Sequence, residues 1–94
     1  MSDAIDNPDD DEDFTAATLT QAIENQLEAQ SPPAAQATFN KLTLVGYPRE
    51  EVIELMAQVL AHEVRAMLDA DRPFDLAWYE HALRALPELP KEAS

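Results

Sequence analysis

The sequence predicts an all-α fold, a compact four-helix bundle packed around one long central helix. The strongest sign is the run over residues 48–69, in which apolar side chains recur at three- and four-residue steps for about six turns. A second sign is that prolines, or the single glycine of the chain, separate the periodic segments from one another. No stretch alternates apolar and polar side chains with β-branched residues, so no strand is predicted.

The first helix is predicted to begin near Thr15, with Asp13 or Thr15 as its cap, and the second to span residues 33–45 after a Ser31 cap. Each carries an apolar stripe that should face the core. The stripes consist of Ala16, Leu19, Ile23 and Leu27 in the first helix and of Ala35, Phe39, Leu42 and Val45 in the second. Gly46 follows where a left-handed C-terminal residue is wanted, so it is interpreted as a helix stop.

The long helix is predicted to begin at Pro48, because the first helical position has no use for the N–H that proline lacks. A fourth helix is predicted after Asp75, which should cap it, and Phe74 is placed to pack against Tyr79. The inner face of this helix should consist of Leu76, Tyr79, Leu83 and Leu86. In the short segment that follows, Leu89 is placed to fold back onto the bundle.

Length and charge favour one small domain behind an acidic leader. Residues 1–13 contain seven acidic residues and no basic one, so this tail is predicted to be disordered and residues 14–90 to form the helical domain. The formal net charge of −13 argues against direct binding to nucleic acid or to anionic membranes. Neither a signal peptide nor a spanning helix is recognisable, and we therefore expect a soluble, cytoplasmic protein of bacterial type.

Glu63 is the residue that fits the apolar pattern least well. On a helical wheel it falls between Met56 and Met67, near the middle of the apolar face of the long helix. A carboxylate there costs several kcal/mol if it is left unpaired, so it should be protonated, paired with an arginine, or turned toward a ligand or a partner. Arg72, Arg84 and a second subunit are the candidate partners, and a structural ion pair is the leading interpretation.

Trp78 and Leu44 are the other candidates for an interface. Trp78 lies toward the edge of the apolar arc of the fourth helix, where an indole either lines the core or anchors a partner. An interaction module requires an exposed apolar patch around Trp78 or Leu44.

The chain offers little material for a metal site or for catalysis. A row at four-residue steps is expected to be a solvated face, because Glu54 and His62, eight residues apart on the helix, are too far from each other to bind one metal ion. This row is Glu50, Glu54, Gln58 and His62. There is no cysteine, and no serine or carboxylate pair has a catalytic setting. No cofactor, metal site, catalytic residue or enzyme activity is therefore predicted.

Residues 22–86 contain motifs that together are moderately specific. They are Glu24-Asn25-Gln26-Leu27, Pro32-Pro33, Arg49-Glu50-Glu51, the stretch over residues 59–64, Pro73-Phe74-Asp75 and Tyr79. In these motifs the chain resembles a widespread bacterial family of short, uncharacterised all-helical domains, a domain of unknown function from which no activity carries over. Relatives place histidines in the first helix and at the start of the long helix, which would imply metal or acid–base chemistry. The corresponding positions here are Ala16, Thr20, Glu50 and Glu54, whereas Glu63 matches a glutamate of the family pattern.

The function that this pattern favours is a protein–protein interaction module that self-associates into a homo-oligomer or binds another protein. The negative charge is compatible with a basic partner. One alternative is a helical protein that binds a metal or small ligand through Glu63 and a residue of another helix. Another is an acidic mimic of nucleic acid, whose residues 1–13 would occupy a basic site on a DNA-binding protein.

Overall fold

The computed structural model describes residues 16–90, and this part of the chain forms four α-helices and no strand. The helices are α1 (Ala16–Ala29), α2 (Pro33–Leu44), α3 (Arg49–Ala70) and α4 (Leu76–Ala85). All three shorter helices pack against α3, which confirms the predicted all-α bundle around one long central helix. The predicted tail, the caps Asp13 and Thr15 and the side chain of Ala16 lie outside the described part.

The core consists largely of the apolar stripes that the helical spacing predicts. Along α3, Val52, Met56 and Val59 are fully buried at steps of four and three residues. The other buried apolar residues are Leu19 and Ile23 of α1, Ala34, Ala35 and Leu42 of α2, Ile53, Ala57 and Leu60 of α3, and Tyr79, Ala82, Leu83 and Leu86 in and after α4. α3 therefore supplies the centre of the hydrophobic core. None of the helices in residues 16–90 is long and apolar enough to cross a bilayer.

Two polar contacts connect α4 to other helices of the bundle. The buried Tyr79 of α4 donates its hydroxyl proton to Oε1 of Gln26 in α1, with 2.8 Å between the oxygens. Burial raises the pKa of Tyr79 to about 12, so the phenol stays protonated and can donate. Lys41 of α2 donates from Nζ to the carbonyl oxygen of Arg84 at 2.6 Å, where a cation suits the negative end of α4.

The first three helices end in the same hydrogen-bond pattern. Each is followed by a residue in the left-handed conformation: Gln30 (φ 57°), Gly46 (φ 109°) and Asp71 (φ 55°). After α2, for example, the N–H of Gly46 bonds to the carbonyl of Thr43 at 3.1 Å and that of Tyr47 to the carbonyl of Leu42 at 3.0 Å. These are the two bonds of the Schellman motif, and they confirm Gly46 as a helix stop.

α2 begins at Pro33 as predicted, but the predicted cap of α2 and the predicted start of α3 are each displaced by one residue. Pro48 is the N-cap of α3 rather than its first helical residue. Pro32, and not Ser31, occupies the N-cap of α2, and no side chain caps that helix. In both cases the extended conformation that proline favours suits a position just outside a helix. At α4 the prediction was correct, since the side chain of Asp75 accepts a hydrogen bond from the N–H of Trp78.

Two residues assigned to the core face solvent instead. Val45 is 65% exposed and Leu76 is 50% exposed. Val45 lies one residue past the end of α2, so it does not continue the stripe that ends with Leu42. Leu76 is the first residue of α4, and the buried residues of this helix begin at Tyr79. A helical wheel therefore predicts burial wrongly for residues at a helix end that lie outside the turns packed against the core.

Candidate functional site

Glu63 lies on the buried face of α3 and is only 1% exposed. Its carboxylate accepts two hydrogen bonds from the guanidinium of Arg72, at 2.7 Å from Nη1 to Oε2 and at 3.1 Å from Nη2 to Oε1. The backbone N–H of Asp75 donates to the same Oε2 at 2.7 Å. Of the three possibilities that the sequence left open, the geometry is that of a bidentate ion pair, and the partner is Arg72 rather than Arg84.

The loop between α3 and α4 brings these groups together. Asp71 adopts the left-handed conformation that closes α3 and turns the chain back. Arg72 then points its guanidinium at Glu63 and also donates to the carbonyl of Pro73 at 2.8 Å. Asp75 gives its N–H to Glu63 and accepts from the N–H of Trp78 at 3.0 Å, which caps α4. We call Glu63, Arg72 and Asp75 the Glu63 cluster, and it fixes the start of α4 against α3.

The electrostatics of the Glu63 cluster favour the charged pair. The hydrogen bonds from Arg72 hold the pKa of Glu63 below its ordinary value, and the N–H of Asp75 acts in the same direction. Burial acts in the opposite direction and is outweighed. Both carboxylate oxygens are occupied and the group stays ionised at neutral pH. This geometry suits a structural ion pair better than a proton donor or a ligand-binding group.

Trp78 is partly buried and packs against the core. Its indole stacks on the imidazole of His62 in α3, with ring centroids 5.2 Å apart and planes inclined by 21°. His62 was assigned to a solvated row, and the structure corrects this because α4 covers that face of α3 and leaves His62 half-buried. The other three members of the row are exposed, as expected: Glu50, Glu54 and Gln58.

A cavity of about 250 Å³ opens next to His62. Its walls are residues of α3 and of the segment after α4: Gln58, Ala61, His62, Arg65, Leu89 and Pro90. Leu89 thus lies over α3, in the direction that the sequence suggested. No sequence pattern predicts this cavity, because its two walls are far apart in the chain.

Leu44 and Val45 form the most exposed pair of large apolar side chains in the described part, at 85% and 65%. They are consecutive residues at the C-terminal end of α2, just before Gly46 turns the chain. We call them the Leu44–Val45 patch. The sequence pointed to Leu44 alone, because Val45 was assigned to the core. The rule that helices ending in Gly often stop one residue earlier could have identified Val45.

Comparison with known proteins gives no further guide to the site. No family model, no curated protein and no solved structure matches the chain. Within residues 16–90, no group of three or more His, Asp or Glu side chains is arranged to hold a metal ion. The features of the described residues that bear on function are therefore the Glu63 cluster, the cavity beside His62 and the Leu44–Val45 patch.

Proposed function

We propose that this protein is a small protein–protein interaction module that self-associates through the Leu44–Val45 patch. The observation that supports this is the exposure of two consecutive aliphatic side chains at 85% and 65%. A single exposed leucine is ordinary on a protein surface. Two adjacent aliphatic side chains at a turn form an apolar patch, and burial of that patch against a partner is favourable. A second copy of the chain offers the same patch in a two-fold arrangement.

The patch lies beside a turn whose backbone is hydrogen-bonded to α2. The N–H groups of Gly46 and Tyr47 bond to carbonyls inside α2, so the turn after the patch is closed. Leu42, two residues before Leu44, is anchored in the core, and Lys41 ties α2 to the end of α4. The backbone that carries the patch is therefore already held by hydrogen bonds, so its ordering adds little to the cost of association.

The proposed dimer should be weak, because the patch is small and the two copies carry charge of the same sign. A standard interface buries about 800 Å² per partner, and Leu44 and Val45 supply only the centre of such an area. A formal net charge of −13 on each copy opposes association at low ionic strength. Because salt screens this repulsion, the dimer should become tighter as the salt concentration rises.

Sedimentation equilibrium of the full chain, at several protein concentrations and at low and high NaCl, tests this proposal. We expect a reversible dimer that is strengthened by salt and lost in the double variant Leu44→Ser, Val45→Ser. The matched control is Leu68→Ser, which removes a 58% exposed leucine from α3 and should leave the dimer unchanged. A monomer under all conditions, or equal weakening by the control, would contradict the proposal.

A basic protein partner is the second candidate, and exposed carboxylates favour it. Glu50, Glu51 and Glu54 are exposed on the first two turns of α3, and Glu24 of α1 lines the same groove of about 300 Å³ as Glu50 and Glu54. Capture of a basic protein would weaken with salt, opposite to the dimer. The nucleic-acid mimic is a form of this candidate that loses binding when residues 1–13 are deleted.

Binding of a metal or small ligand through Glu63 is the least favoured proposal. Such a ligand would have to replace Arg72 and the N–H of Asp75 on a carboxylate that is already satisfied. It would show itself as a melting temperature that rises with added divalent ion and stops rising in Glu63→Gln.

A further inference from the structure

Positive side chains are scarce in this protein, with 6 Lys and Arg against 19 Asp and Glu. In the described residues, the side chains of Lys41, Arg49 and Arg72 each contact a carbonyl or carboxylate oxygen of the protein. Among residues 16–90, the side chains of Arg65 and Arg84 form no hydrogen bond or ion pair. Arg65 lines the cavity of about 250 Å³ beside His62. A guanidinium without an internal partner therefore stands at the wall of a cavity in an otherwise acidic protein.

The α3 wall of this cavity carries hydrogen-bonding side chains on one helical face. Gln58, His62 and Arg65 are spaced by four and three residues, so they point the same way, and all three line the cavity. The amide of Gln58 and the guanidinium of Arg65 are both exposed donors. None of the described lining residues is acidic. This wall can therefore receive a negatively charged group.

The rest of the lining is apolar. Leu89 and Pro90 form the wall that faces α3, and Ala61 lies between the donors. A fully hydrated inorganic ion gains nothing from such a surface, whereas an aromatic or aliphatic group does. Small-molecule sites combine apolar walls and a few placed polar groups in this way.

We propose that this cavity binds a small organic carboxylate. The carboxylate would lie on the guanidinium of Arg65, with the amide of Gln58 as a second donor, and the apolar body would pack on Ala61, Leu89 and Pro90. A volume of about 250 Å³ suits a ligand of the size of an aromatic acid. A free acid and the C-terminal carboxylate of a peptide present the same chemistry. The site does not depend on self-association, because neither Leu44 nor Val45 lines it.

Benzoate and benzamide are matched probes, since they share shape and differ in charge. Trp78 is the only tryptophan of the chain, and its ring stacks on His62, so its indole N–H resonance reports on the cavity. In titrations of the full ¹⁵N-labelled chain, we expect saturable shifts with benzoate and at least tenfold weaker binding of benzamide. Inorganic phosphate should bind weakly, because it has no apolar body. Failure of benzoate to saturate, or equal affinity for benzamide or phosphate, would overturn the proposal.

Arg65→Gln and Arg84→Gln separate a local contact from a general charge effect. Both variants remove one positive charge from an arginine that has no partner in the described residues. We expect Arg65→Gln to weaken benzoate binding about tenfold or more and Arg84→Gln to change it less than about twofold. Equal effects of the two variants would overturn the proposal.

A peptide arm distinguishes the two sources of the carboxylate. A short peptide that ends in a free phenylalanine carboxylate is compared with its amidated form and with benzoate. Tighter binding of the free peptide than of benzoate supports a peptide C-terminus as the ligand, and weaker binding supports a free acid. Equal binding of the free and amidated peptides, together with benzamide as strong as benzoate, counts against a carboxylate site altogether.

Discussion

The two turns that flank α3 close their helices with the same backbone pattern but differ in the side chains they present. After α2 the turn at Gly46 leaves Leu44 and Val45 in solvent. After α3 the turn at Asp71 directs Arg72 onto the buried Glu63. Folding alone accounts for the turn at Asp71, because both oxygens of the Glu63 carboxylate accept hydrogen bonds from within the chain. The exposure of Leu44 and Val45 has no such explanation within the described residues. These two side chains are therefore better candidates for an interface than the buried Glu63.

Removal of the counterion from the α3–α4 turn should have the largest effect on stability. Arg72→Met leaves the carboxylate of Glu63 buried with only the N–H of Asp75 as a partner. An uncompensated buried carboxylate costs about 3 kcal/mol, and urea denaturation at neutral pH measures this loss. Arg84→Met is the control, since that side chain has no partner in the described residues and should cost little. Similar losses of unfolding free energy in both variants would mean that the Glu63–Arg72 ion pair does not stabilise the fold.

The contribution of Glu63 to the pH dependence of the unfolding free energy should have opposite signs in Arg72→Met and in the parent protein. In the parent, the pKa of Glu63 is below its ordinary value of 4.5, so the pair stabilises the fold above that pH and less as pH falls through the lowered pKa. Without Arg72, burial should raise the pKa of Glu63, and protonation of its carboxylate then removes the cost of a buried unpaired charge. The difference in unfolding free energy between parent and variant should narrow from about pH 7 to about pH 4. A constant difference would exclude Glu63 as its source.

Loss of the α4 cap should have a smaller effect than loss of Arg72. Asp75→Ala removes the side-chain acceptor for the N–H of Trp78 but keeps the backbone N–H that bonds to Glu63. We expect a loss of about 1 kcal/mol in thermal or urea unfolding, with the pH profile of the parent retained. If Asp75→Ala lost as much stability as Arg72→Met, the cap would contribute as much to the α3–α4 turn as the ion pair, which would contradict this account.

The left-handed turn residues should show small effects of opposite sign. Gly46→Ala places a Cβ in open space, so only the backbone conformation at φ 109° opposes it, at about 1 kcal/mol. Gln30→Gly relieves a side chain of the same type of strain at φ 57° and should stabilise the fold by about 0.5 kcal/mol. Melting temperatures measured side by side check both signs. Stabilisation by both, or by neither, would contradict the common role of these positions.

The fold could be predicted from the sequence because its helices are set by local rules. Apolar spacing identified α3, Gly46 marked a helix stop, and Asp75 was identified as a cap. The contact of Phe74 with Tyr79 was also correct, with ring centroids 5.3 Å apart. All of these depend on residues within a few positions of one another.

The candidate site could be predicted only in part, because its contacts depend on how the elements are arranged. Sequence spacing showed that Glu63 needs a partner, but the path of the loop over residues 71–75 decides that it is Arg72. His62 is half-buried because α4 crosses its face of α3, and no pattern within α3 contains that information. Val45 was misplaced because the helix ended one residue before the predicted boundary.

Self-association at the α2 end of the bundle is tested most directly by methyl NMR over a dilution series at high salt. If Leu44 and Val45 meet their counterparts in a second copy, their methyl resonances should shift with protein concentration more than any others. The leucines that flank the α3–α4 turn, Leu68 and Leu76, are also exposed and serve as internal controls. Concentration-dependent shifts at Leu68 and Leu76 instead, or at no methyl group, would contradict an interface at the Leu44–Val45 patch.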